Sequence, residues 1–147
     1  MALLIGCVVT HALLAHLIAS PWWLPDLTLV GLVLAVGQRP AQWLVASLVA
    51  ALLTVLSAVR FSGQLFSAYL LCGWFVQLVG NRWDATDVRV QGVAALMASA
   101  LLTFGAIWFE NLWSPPLLGL ALAHVAITGL CVPTVRWLLM SSFRMPT

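Results

Sequence analysis

Lysine is absent from this 147-residue chain, and charge of either sign is scarce. Six arginines and four acids make up 7% of the residues. A soluble domain carries about 25% charged residues. So few charges cannot cover a soluble surface, which excludes a soluble enzyme, a nucleic-acid-binding domain and a disordered tail. A formal net charge of +2 is also too small for a phosphate-tracking groove. The three cysteines, Cys7, Cys72 and Cys131, are widely spaced in apolar runs, with no CxxC and no Cys/His cluster. A zinc site is not expected, and the thiols read as buried and unpaired. The chain has no HExxH, no GxxxxGK[ST] and no nucleophile elbow. No paired carboxylate falls in an apolar run, so an acidic ion path is not expected either. From these absences no catalytic residue, metal ligand or cofactor is expected.

What is present is hydrophobic: 63% of the residues, with a mean hydropathy of +1.09. A membrane helix needs about 20 mostly apolar residues, and six runs approach that length. They are residues 2–19, stopped by Ser20-Pro21; 22–37, closed by Gln38-Arg39-Pro40; 41–59, closed by Arg60; 65–79, closed by Gly80-Asn81-Arg82; 90–109, closed by Glu110-Asn111; and 116–139, with Pro133 inside it. The expectation is an all-α, polytopic membrane protein of six transmembrane helices in a single domain. The first run lacks a charged leader and is read as a retained helix rather than a signal peptide. Six spans put Arg39, Arg82, Arg89, Arg136 and Arg144 on one side, against Arg60 on the other. By the positive-inside rule both termini are cytoplasmic.

The polar residues within these runs are few. His11, His16 and His124 read as neutral histidines bonded to neighbouring helices. Asp26 follows Pro25 at the outer end of the second run. It has two readings: a cap on free N–H groups, favoured by the helix dipole, or a partner contact. Arg60 breaks the charge rule, and Asp26, Glu110 or a partner protein are candidates to pair with it. Trp22, Trp23, Trp108 and Trp113 mark the outer interface, and Trp43, Trp83 and Trp137 the inner one. Trp74, mid-run, faces either a partner or a cavity. Small residues form stripes suited to close helix approach. These are Ser47, Ala51, Thr54 and Ala58 in the third run; Gln91, Ala95, Ser99 and Thr103 in the fifth; Gly119, Ala123, His124 and Thr128 in the sixth; and Ala15 and Ala19 in the first.

The order of these features resembles the MreD family of bacterial rod-shape membrane proteins. The resemblance lies in Trp22-Trp23-Leu24-Pro25-Asp26-Leu27 before an apolar helix and in the basic, proline-bearing turn Gln38-Arg39-Pro40. It continues in Thr54-Val55-Leu56-Ser57 followed by Ser62-Gly63, in Asn81-Arg82, and in Pro133 with Arg136. The family's acidic residue in the third helix is Thr54 here. The resemblance implies a non-catalytic scaffold in the bacterial inner membrane. It would bind MreC and, through it, a class B penicillin-binding protein and RodA, near MreB filaments, in support of lateral peptidoglycan synthesis and cell shape. Partner contacts are then expected around Asp26, Arg60, Trp22, Trp23 and Gly63. The implied fold is similar to the substrate-binding subunits of ECF transporters. That similarity leaves a vitamin-capturing subunit as the alternative, with Ala15 and Ala19 as a faint echo of its coupling signature.

Overall fold

A computed structural model describes the backbone of residues 1–17, 24–57, 62–84 and 86–142. Trp22, Trp23, Ala19, Ala58, Arg60 and Arg144 lie outside the described residues, as does the side chain of His16. The described chain is all-helical: α1 (Ala2–Leu17), α2 (Leu27–Gln38), a 3-10 turn (Pro40–Gln42), α3 (Trp43–Ser57), α4 (Ser62–Arg82), α5 (Val88–Phe109) and α6 (Pro115–Ser142). Among the described residues, α4, α5 and α6 are each long and apolar enough to cross a membrane. The protein is a helical membrane protein on that evidence of length and composition.

The helix limits correct the sequence expectation at the start of α2. The second run was expected to be helical from Trp22, but α2 begins at Leu27 and has only 12 residues. Proline at position 25 disfavours a helical conformation at the residue before it, and Asp26 provides the cap that starts the helix one residue later. The fourth run, 65–79, gains residues at both flanks: α4 runs from Ser62 through Gly80 and Asn81 to Arg82. Glycine costs only about 1 kcal/mol in a helix, too little to end one that packs along its length. At its Asn81 turn α4 is further tied by Gln77 Nε2 donating to Asn81 Oδ1 at 3.2 Å.

Short α2 is the centre of the bundle. It contacts all five other helices, and nine of its 12 residues are buried. Around it α3 pairs antiparallel with α4, and α5 with α6, while α1 packs on α2 itself. Ser47 meets Gly73 while Thr54 meets Tyr69, which fixes the α3–α4 register. Gln91 meets Arg136 while Leu96 meets Gly129, which fixes that of α5 and α6. Between helices in lipid, close packing and hydrogen bonds replace the hydrophobic effect as the source of association. Gly73 shows how close the approach is. A methyl group there would sit 1.7 Å from Ser47 Oγ and 2.7 Å from its Cβ.

Capping closes the helix ends. Asp87 Oδ1 accepts from Arg89 N at 2.8 Å at the start of α5. At its other end Asn111 adopts φ 53°, a left-handed conformation that asparagine tolerates. Leu112 N then donates to Ile107 O, and Asn111 N to Trp108 O, a Schellman ending that satisfies the last carbonyls. Trp108 and Trp113 stack edge-to-face beside it, centroids 5.8 Å apart.

Candidate functional site at the Pro25-Asp26 junction

Leu24, Pro25 and Asp26 lie outside any helix, and a twelve-residue helix is about 18 Å long. A hydrocarbon core is about 30 Å thick. If α2 starts at the arginine-bearing end of the bundle, its other end stops about 12 Å short of the far side. Neighbouring α4 gives an independent ruler. Tyr69 lies thirteen residues from Arg82 and seven from Ser62, or about 20 Å and about 10 Å along the axis. Asp26 touches Tyr69, so its carboxylate lies about 10 Å along α4 from Ser62, inside the helix bundle.

Inside an apolar helix bundle a backbone polar group must find its partner in the protein. Three helices meet that demand here. Asp26 Oδ1 accepts from Leu29 N at 3.0 Å, the N-cap expected from the Pro-Asp pair. Asp26 Oδ2 accepts from the Tyr69 hydroxyl at 2.8 Å. The Asp26 N–H donates to Thr128 Oγ1 of α6 at 3.1 Å. Thr54 of α3 brings its hydroxyl within hydrogen-bonding reach of Tyr69, and also donates to Ala50 O at 2.8 Å. Cys72, one turn along α4, is buried and directs its thiol to Ala98 O of α5 at 3.8 Å. The junction therefore joins α2, α3, α4 and α6. Chemically it is an acceptor set filled by internal donors around a helix N-terminus.

Among the other residues singled out in sequence, Gly63 is exposed with open space around it. Ser47, Ala51, Ala95 and Ser99 are fully buried, Thr54 and Thr103 half-buried. These stripes pack as expected for small residues. Gly119 and Ala15 are exposed, so the stripes of α6 and α1 do not pack at those positions. Trp74 is 51% exposed, turned away from the bundle. His11 departs from expectation: its Nδ1 is enclosed without a hydrogen-bond partner among the described residues. His124 lies one turn from Thr128 on α6. The pairing of Asp26 with Arg60 lies outside the described residues, and both Asp26 oxygens are engaged elsewhere. Among the described residues no group of three His, Cys, Asp or Glu side chains converges to hold a metal ion.

Sequence reasoning missed Tyr69 and Gly73. Tyr69 is the chain's only tyrosine, sits in the middle of an apolar run, and is 4% exposed. A buried phenol needs an acceptor, and that need was the available signal. Nothing in the local pattern distinguishes Gly73 from Gly119.

At the arginine-bearing end, Arg136 Nη1 donates to Gln91 Oε1 at 3.0 Å and to the Thr86 carbonyl. It clamps α6 to the turn between α4 and α5. In that turn the Thr86 hydroxyl and N–H both donate to Asp84 Oδ1, at 2.7 and 2.9 Å.

Comparison with family models, with curated proteins and with solved structures finds no match.

Proposed function

We propose that this protein is a non-catalytic scaffold of the rod-shape machinery in the bacterial inner membrane. It has six spans and cytoplasmic termini, and it binds MreC. Through MreC it serves a class B penicillin-binding protein and RodA, close to MreB. The sequence pattern around Trp22–Asp26, Gln38–Pro40 and Ser62-Gly63 supports the family reading. The observation that carries the scaffold role is the central position of α2. A helix touching every other helix fills the interior with protein, which leaves the outward helix faces and loops as the surfaces that act.

The alternative is a vitamin-capturing transporter subunit, which needs a pocket of about 300 Å³ or more. Two cavities lined by described residues measure about 10 and 140 Å³. Co-expression with MreC and purification in mild detergent tests the scaffold. A stable complex with MreC is expected. A vitamin-sized ligand retained by native mass spectrometry, without MreC, would replace this reading with the transporter. Reporter fusions test the topology: alkaline phosphatase active at Thr147 would reverse it.

A further inference from the structure

Arg39 caps the last turn of α2, its N–H donating to Ala35 O at 3.1 Å, and passes the chain into the Pro40–Gln42 turn. A cavity of about 140 Å³ opens at this corner, lined by Met1, Ala35, Gln38, Arg39, Gln42 and Ala46. Its polar side chains are one guanidinium and two carboxamides. No acid lines it. Asp26 is at the opposite end of α2, Glu110 at the end of α5, and Asp84 and Asp87 flank the α4–α5 turn. Two helix ends also meet here, the C-terminus of α2 and the N-terminus of α3. Their partial charges, about half a unit each and opposite in sign, offset one another. The full guanidinium charge therefore sets the sign of the corner.

The cavity has room for four or five waters at about 30 Å³ each, enough for a tetrahedral phosphate group. Arginine matches phosphate oxygens with two parallel N–H groups, and carboxamide N–H groups complete such a cradle. Gln38, Arg39 and Gln42 are all exposed. Their side chains make no hydrogen bond or ion pair among the described residues, so their donors are available. The first turns of α1 and α3 beside the cavity carry Ile5, Leu44 and Val45, 46%, 50% and 51% exposed. Acyl chains can lie along such residues. Basic pockets between membrane helices bind phospholipid head groups in this way.

We infer that the Gln38-Arg39/Gln42 corner is a binding site for a phosphate group, supplied by an anionic phospholipid or by free phosphate. The site is independent of the scaffold reading. The experiment is native mass spectrometry of the full chain in detergent, with phosphatidylglycerol, phosphatidylcholine or inorganic phosphate added. Wild type should retain phosphatidylglycerol over phosphatidylcholine. Arg39→Gln should retain roughly tenfold less, the size of one charge-assisted contact. Gln38→Glu, which places a carboxylate in the cavity, should lose it to the same degree. Arg89→Gln, on another helix, should behave as wild type. Inorganic phosphate binding that Arg39→Gln abolishes, without any lipid preference, assigns the site to the free anion. Equal retention by wild type, Arg39→Gln and Gln38→Glu overturns the site. So does an equal loss in Arg89→Gln, which would mark a general effect of charge.

Discussion

The Tyr69 hydroxyl reaches 2.8 Å to Asp26 Oδ2 across 43 residues of sequence. It ties the middle of α4 to the first residue before α2. A phenol and a carboxylate that meet inside the bundle satisfy each other where water is scarce, and the bond holds the central helix at a fixed height against α4.

That bond is open to a double-mutant cycle of Tyr69→Phe with Asp26→Asn. Asparagine still caps a helix N-terminus, so the cycle isolates the contact with Tyr69. A hydrogen bond to a charged group contributes about 1.5–3 kcal/mol, and a coupling of about 0.5–3 kcal/mol is expected between contacting residues. Unfolding in detergent measures it. Additive single effects would show that the two residues do not interact.

Thr128→Val keeps the shape of the side chain and removes the acceptor for the Asp26 N–H. An orphaned buried donor costs about 1–3 kcal/mol. Thr128→Ser keeps the acceptor and should lose much less. The ordering of the two thermal midpoints decides the matter; equal losses would mean that methyl packing, rather than the hydroxyl, matters at this position.

Gly73→Ala should destabilise the α3–α4 pair by about 1–3 kcal/mol or more, the usual cost of overpacking. Ser47→Gly should rescue it, and Ser47→Ala should not, because the Ser47 Cβ alone lies 2.7 Å from the added methyl. Gly119→Ala, with nothing within 4 Å of its added methyl, should be neutral or stabilising by about 0.5–1 kcal/mol through helix propensity. Similar losses at the two glycines would contradict this account.

Asp84 makes a pH prediction. The Thr86 hydroxyl first, then the Thr86 N–H, hold its carboxyl below the ordinary value near 3.8, and Arg136 adds to this. A depressed value in the folded state stabilises the turn above the unfolded value. That stabilisation is lost as pH falls through the folded one. Thr86→Val should therefore move the Asp84 midpoint upward, as read by carboxyl carbon NMR in micelles. An unmoved midpoint would show that the Thr86 hydroxyl does not act on it.

Some of this architecture was legible in the residues alone. Scarce charge and apolar runs interrupted by proline, glycine and arginine specified a helical membrane protein and located most helix ends. Pro25-Asp26 announced an N-cap, because a carboxylate after proline suits a helix start, and Asp26 Oδ1 accepts from Leu29 as that cap requires. The small residues Ser47, Ala51, Ala95 and Ser99 announced buried faces. The same logic failed at Gly119 and Ala15, which have the same kind of spacing but are exposed.

Tertiary structure alone decided that α2 is the centre, that it is too short to reach both ends of the bundle, and that Asp26 finds Tyr69 and Thr128. The two partners are 43 and 102 residues away, beyond any local pattern. The physical reason lies in the solvent. In water a helix reveals its buried face because the opposite face must be polar. In lipid both faces are apolar, so sequence fixes where a helix runs but not which side meets protein. That choice is made by close approach, as at Gly73 and Ser47, and by the few buried polar groups that must find one another.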